Sequence, residues 1–398
     1  MKKNIFLFVI FSFFIFIVYV LFFYKSVKLP RVYLEGSLDK LVSKDNEEIF
    51  YVKYKSSDLS FNSYASIKLQ GKSSLEFEKK NYNIKFYNDS SKNVKKNVDF
   101  GWGKNHKYCL KANWIDKTHS RNIVTANIFA DMQKDFNLFV DTPNYGVIDG
   151  YPVEIYLNDS FLGLYTLNIA KDEFMFNMDK SNKNHLVFAS KNYTRSTAFE
   201  EIGNFDSWEI EFGDETEENL NKLNRVIEFV IYSSNEEFKT RINEYFNLDS
   251  LLNYYIMLQF AYLIDNTANN LFLVTYDGIV WYTSLYDMDS SFGTSMNGTL
   301  ADYSSVEFPS VGSNLWRRLE INFSSELAER YFYFRKDILT KRNVISEFRS
   351  FYNLIPKDTL NKEINKWGNI PGYNIEQVET FLDYKIPMLD DFFNKLSS

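Results

Sequence analysis

The chain has 398 residues, 45% apolar, 18% aromatic and 24% charged, with 15 Gly and 7 Pro; that excludes a disordered or collagen-like chain, because apolar surface suffices to offset the entropy of ordering a large core. One cysteine, Cys109, excludes an intramolecular disulfide framework and a multi-thiolate zinc site, and three histidines leave little for a histidine-rich metal centre. A net charge of −7 argues against nucleic acid as the main partner, since that needs a basic face to displace counterions.

Residues 5–24 form a run of 20 without a charge. At about 1.5 Å of helical rise per residue it spans a hydrocarbon core of about 30 Å. A cleaved leader has a shorter apolar run, about 7–15 residues, followed by small residues; here YKSVKLP offers only Ser26. Residues 1–24 are therefore expected to be an uncleaved membrane anchor of a single-pass protein. Lys2 and Lys3 nearly balance Lys25, Lys28 and Arg31 across the span. A long body behind one N-terminal anchor is usually exported, which favours an extracytoplasmic body.

Residues 25–398 read as one region, with no linker, repeat or low-complexity tract. Its first half is β-rich. PRVYLEG, EIFYVKY, YASIKLQ, NYNIKFY and KYCLKAN are short runs of β-branched and aromatic residues between polar turns. A helix starting near Asp116 to Ser120 and running through NIVTANIFADMQ interrupts them. PVEIYLN and GLYTLNI follow as strands around a turn at 158–163. The second half is mostly helical, with apolar spacings of three and four in ENLNKLNRVIEFVIYS, LDSLLNYYIMLQFAYLI, LWRRLEINFSSELAERYFYFRKDIL and VETFLDYKIPMLDDFF. Within it NNLFLVTY and IVWYTSLYD form a strand pair, with Asp277-Gly278 signalling a two-residue hairpin. The fold class is α+β.

Three constellations carry candidate chemistry. Asp265 follows a long apolar helix, Asn270 lies five positions later, and Asp287 and Asp289 end the hairpin in YDMDSSFG. Two carboxylates and an amide oxygen suit Mg²⁺, which takes hard oxygen ligands and shares them with phosphate. Protein kinases space their catalytic base and two metal ligands in the same way. The plainer reading makes Asp265 a helix-terminating turn residue and Asp287 a cap on the Ser290-Ser291 turn. Second, in LQGKSSLEFEKKNYNIKF, Gly71, Ser73 and Ser74 could cradle a phosphate ahead of Lys79 and Lys80, or form an ordinary hairpin turn. It is not a Walker A loop, because Ser66 stands where the first glycine belongs. Third, Arg121 and Asn122 at a helix start could meet an anion, or Arg121 could pair with Asp116 to cap the helix.

Other chemistries lack support. H-E-x-x-H and G-x-S-x-G are absent. Cys109 lies in an apolar strand pattern that predicts a buried, inert thiol. His106, His119 and His185 are expected to be surface or capping residues.

These motifs, in order from LPRVYLEG through KYCLKANWIDKTHSRN and VEIYLNDSFLGLYTL to YDMDSSFG and LWRRL, resemble the CotH family of spore-coat-protein-H-like atypical kinases. The resemblance runs from about Leu29 to the C-terminus. It implies a divergent, two-lobed protein-kinase-like fold over residues 25–398, using ATP and Mg²⁺ or Mn²⁺ to phosphorylate Ser/Thr-rich coat or surface proteins and itself. Asp265 would be the catalytic aspartate and Asp287 the metal ligand, assisted by Asn270 and Asp289. Lys80, with Lys79 close behind, would reach the phosphates, and Tyr286, where the family usually has Trp, would stack on adenine. Where the family commonly shows a Glu after the GLYTL strand, this chain has Ile169; Asp172 or Glu173 is the candidate substitute.

The exported body and Ile169 also motivate a different class of protein, a non-catalytic adhesin or coat-assembly scaffold. Asp287-Met288-Asp289 matches the D-x-D form of nucleotide-sugar transferases, although no nucleotide-binding α/β pattern precedes it.

Overall fold

The computed structural model describes residues 28–191, 197–202, 205–303 and 313–397; the segment 5–24, expected to be an anchor, lies outside them. Among the described residues no helix is long and apolar enough to cross a membrane. The N-terminal part is β-rich and the C-terminal part helical.

Strands β1 (Arg31–Glu35), β2 (Glu47–Lys55), β3 (Ser60–Gln70), β4 (Asn81–Tyr87), β7 (Lys107–Lys111), β8 (Gly150–Leu157) and β9 (Ser160–Ile169) form a closed barrel. Its order is β1-β2-β3-β4-β7-β9-β8, sealed by parallel pairing of β1 with β8. Alternation sends Val32, Leu34, Phe50, Val52, Ile67, Ile84 and Leu110 into one apolar core. On β7, Tyr108 and Leu110 take the barrel face, which leaves Cys109 and Lys111 on the opposite one. The short pair β5 (Val98–Asp99) and β6 (Lys104–Asn105) precedes β7.

Helix α1 (Arg121–Asp135) leads into a larger core. There β10 (Leu186–Lys191), β11 (Trp208–Phe212), β12 (Asn269–Thr275) and β13 (Tyr282–Leu285) form a four-stranded sheet in the order β11-β10-β12-β13. The expected hairpin is thus half of a sheet, and its connection is wider than two residues. Asp277 Oδ1 accepts the N–H groups of Ile279 and Val280, so β13 starts only at Tyr282.

Helices α2 (Glu217–Tyr232), α3 (Asn235–Arg241), α4 (Leu248–Ala261), α5 (Asn314–Asn322), α6 (Ser324–Phe334), α7 (Lys341–Tyr352), α8 (Lys357–Trp367) and α9 (Ile375–Leu396) complete the described chain. The segment read as one helix from LWRRL onward breaks at Phe323 into α5 and α6. Helix α4 is held at its start by Asn247, whose side chain accepts the Ser250 N–H, and ends at Tyr262, in left-handed conformation at φ 57°.

Helix α8 packs on the outside of the barrel. Glu154 on β8 accepts from Arg31, Thr359 and Lys362 at 2.8, 2.7 and 3.2 Å. Trp367 Nε1 donates to the Leu162 carbonyl at 2.9 Å.

Candidate active site

Where α4 stops, the chain makes a 3-10 turn over Asp265–Thr267. Three bonds pin this turn: Tyr254 Oη donates to the Asn266 carbonyl at 2.7 Å, Trp316 Nε1 to the Thr267 carbonyl at 2.8 Å, and Asn266 Nδ2 to the Tyr286 carbonyl at 2.7 Å. The last ties the Asp265 turn directly to the segment carrying Asp287. Asp265 Oδ2 accepts from Asn269 at 3.0 Å and Asn270 at 2.7 Å. Both Asn270 and Asp287 take φ 56°, a left-handed conformation uncommon outside glycine that Asn and Asp tolerate best.

Asp265, Asn270, Asp287 and Asp289 open onto one cleft of about 320 Å³ between the barrel and the helical part. Gly71, Ser73 and Ser74 line its other side. Gly71 has φ 113°, and a Cβ there would stand 1.9 Å from Ser74 Oγ, so the turn needs glycine. Five lysines (44, 72, 111, 171 and 191) and five carboxylates (Glu209, Glu211, Asp265, Asp287 and Asp289) share the walls.

Lys111, its side chain 8% exposed, stands 3.3 Å from Asp287 Oδ1. Burial works against its charge, but Asp287, Tyr286 and Asp289 outweigh that and hold it above the usual lysine range. Asp289 is pushed up to about 7, first by burial and then by Asp287. Burial, with Asp287 adding to it, also raises Asp265. The two aspartates thus raise the cost of each other's charge, and Lys111 offsets part of it. Among the described residues no three His, Cys, Asp or Glu side chains form a group that could hold a metal ion by themselves, so a divalent ion here would need ligands from phosphate or water as well.

Several expected residues stand elsewhere. Lys79 is fully buried away from the cleft: its Nζ donates to Glu363 Oε1 at 2.7 Å, to the Ala112 carbonyl at 2.9 Å and to the Leu164 carbonyl. Lys80 folds back onto the Leu75 carbonyl at 2.6 Å and onto that of Phe77, closing its own loop. Arg121 is buried beside Asp116 at 3.2 Å and donates to the Ser291 carbonyl and to Gln377. The Asp116 pairing, not an anion, occupies it. Asn122 Oδ1 accepts the Met288 N–H at 3.0 Å, and Thr125 meets Ser291 at 2.8 Å. The KTHSRN tract therefore braces the Asp287 segment from behind.

Tyr286 reaches the cleft but does not offer a free ring face. Phe272 stacks on it at 5.4 Å, Lys111 and Lys171 lie over the ring at 5.4 and 5.3 Å, and Gln70 donates to its hydroxyl at 3.0 Å. Stacking on adenine is not available to it in this conformation.

Ile169 packs in the larger core rather than facing the cleft. Asp172 and Glu173 pair with Lys107 at 3.2 and 2.9 Å. In the cleft Lys171 pairs with Glu211, both half-buried. Sequence reasoning missed Lys111, Lys171 and Glu211. For Lys111 a signal existed: a lysine closing an apolar strand, in step with Cys109 and out of step with Tyr108 and Leu110.

Cys109 is buried, with burial pushing its thiol up to about 12. His106 and His119 are also buried, so of the surface or capping positions expected of them the surface one is ruled out. His185 caps a turn, accepting the Asp179 N–H at Nδ1.

Asp265 and Asn270 at the pinned turn thus share one cleft with the two aspartates beyond the β-ribbon. The family model described as CotH kinase protein matches residues 67–395, and the chain belongs to that family. No curated protein matches the chain at a significant level.

Proposed function

We propose that the chain is a membrane-anchored protein kinase that transfers the γ-phosphate of ATP to Ser or Thr hydroxyls of Ser/Thr-rich surface or coat-type proteins and of itself. In this reading the barrel and the helical part are two lobes around the nucleotide, residues 5–24 anchor the chain, and the body lies outside the cytoplasm. The observation that carries it is the opening of Asp265, Asn270, Asp287, Asp289 and Lys111 onto one cleft.

Asp287, Asp289 and Asn270 would hold Mg²⁺ or Mn²⁺, which supplies charge neutralisation to the phosphates when bound. Asn269 and Asn270 fix one oxygen of Asp265, which leaves the other to accept the acceptor hydroxyl proton. The hydroxyl oxygen then bonds the γ-phosphorus, the bond to the bridging oxygen breaks, and ADP leaves. Lys111 lies on the strand face that meets the phosphates and replaces Lys79 and Lys80 in that role. Catalysis of this kind is mainly positioning and charge compensation.

The test is mass-spectrometric mapping of phosphate transferred from ATP, onto the chain and onto a Ser/Thr-rich protein, with Mn²⁺ or Mg²⁺. Transfer should disappear in Asp265→Ala and Asp287→Ala. Transfer that survives both variants refutes the assignment. Absence of any thermal shift with metal and ATP would assign the chain to the scaffold class instead.

A further inference from the structure

A cavity of about 660 Å³ lies between residues 117–119, the end of α7, α8 and the start of α9. It shares no lining residue with the cleft that holds Asp265. Its size falls within the range of about 300–1,000 Å³ usual for small-molecule sites. We propose that it binds a small organic acid whose apolar body ends in a hydroxyl group, with the carboxylate against Lys117 and Lys357 and the hydroxyl against His119. The site is independent of the kinase reading.

Three features of the wall point to that class of ligand. Tyr352, Ile355, Leu360 and Ile370 make it mainly apolar. His119, which also lines it, is 3% exposed, yet its Nδ1 has no hydrogen-bond partner among the described residues. Leaving a buried polar nitrogen unpaired is costly, and one hydrogen bond from an occupant removes that cost. The other buried polar groups on the wall are spent. Thr118 Oγ1 donates to Asp116 Oδ1 at 2.7 Å, and the Glu363 oxygens accept from Lys79 and from the Leu164 N–H. Burial, with Lys79 nearby, keeps the His119 ring uncharged. Its Nδ1 therefore either donates or accepts, and a hydroxyl answers both.

The third feature is charge at the rim. Lys117 is half-buried and Lys357 exposed, and neither has a hydrogen-bond or ion-pair partner for its side chain among the described residues. The first turns of α8 and α9 open there too, with no side-chain cap from Pro356 or Asn374. Backbone N–H groups left open in this way favour an anion. The acids among the lining residues are Glu376, which is exposed, and Glu363, which Lys79 neutralises. Because Lys117 and His119 are two residues apart, their Cα atoms stand at most about 7 Å from each other. One aromatic ring with a short acid arm spans that separation, and its rigidity limits the entropy lost on binding.

The experiment titrates the full-length chain by calorimetry with para-hydroxyphenylpropionate, with phenylpropionate, which lacks the hydroxyl, and with para-ethylphenol, which lacks the acid. The hydroxy acid should bind at least tenfold tighter than either of the others. Ile370→Trp fills the cavity and should weaken that binding at least tenfold. Lys117→Gln changes a side chain that holds nothing in the fold, and should reduce the hydroxy acid to the affinity of para-ethylphenol even if Ile370→Trp fails to fold. The preference should persist in millimolar Mg²⁺ and ATP. Binding that ATP displaces would put the probe in the cleft and overturn the assignment. Equal affinity for the three compounds, no binding of any at millimolar concentration, or an unchanged affinity in Lys117→Gln would each overturn it as well.

Discussion

Lys79 and Glu363, 284 residues apart, form a wholly buried ion pair at 2.7 Å that joins the barrel to α8. Glu363 Oε2 accepts the Leu164 N–H at 2.6 Å, and the Lys79 ammonium lies 4.4 Å from the Tyr165 ring centroid. Both carboxylate oxygens are therefore engaged, and the ammonium has an acceptor for each of its three protons. Losing one partner strands the other in an apolar site, at a cost of about 3–5 kcal/mol. Lys79→Met and Glu363→Gln should each lower the urea midpoint of the full-length chain by a corresponding amount, and a Lys79→Met/Glu363→Leu double variant should recover much of the loss.

Lys111→Met should behave oppositely. If this lysine meets the nucleotide phosphates, removing a charged donor costs about 1.5–3 kcal/mol of binding, a tenfold or greater rise in the Kd for ATP. Lys79→Met, at a temperature where it remains folded, should leave that Kd within a few-fold. Calorimetric titration of both variants checks the assignment, and a larger effect from Lys79→Met would reverse it.

Asp265→Asn keeps the shape of the side chain and removes its basicity. General-base removal should slow transfer by about 10²–10⁴-fold while changing ATP affinity little. The readout is single-turnover transfer at saturating nucleotide; a rate within tenfold of the parent chain would remove Asp265 from the role of base.

Acid should unfold the chain earlier than its carboxylates alone dictate. Burial, reinforced by Lys95 and Lys107, pushes His106 down to about 4, and burial with Lys79 nearby holds His119 well below its ordinary 6.5. Between pH 6.5 and these depressed values the unfolded chain binds protons that the folded chain refuses, so stability falls as pH drops below 6.5. The slope of urea midpoint against pH from 6.5 to 5 should flatten in a His106→Gln/His119→Gln variant.

The barrel strands were legible because their apolar alternation is local, and the nearness of Asp265, Asn270 and Asp287 because they sit at one end of a single β-ribbon. The lysine was not. Lys79 and Lys80 stand beside a glycine turn, which makes them plausible phosphate ligands, but which way each points depends on Glu363 and on the carbonyls of Leu75 and Phe77. Nothing within a few residues of Lys79 announces a partner in α8. Tyr286 failed for a related reason: Phe272 and Gln70 cover it from separate strands. The wide turn after β12 escaped notice because Asp277-Gly278 suits a tight hairpin, whereas the carboxylate instead gathers two later N–H groups.

Closure of the barrel through β1 and β8 has a consequence for chains crowded together. A ring of seven strands leaves the barrel itself no unpaired edge strand onto which a neighbour could add. The one open border on the β10 side of the second sheet is β11, and it carries Glu209 and Glu211. Both side chains also line the cleft, Glu211 paired there with Lys171; replacing either to tune the cleft would at the same time take a charge off the border strand, where charge discourages edge-to-edge pairing.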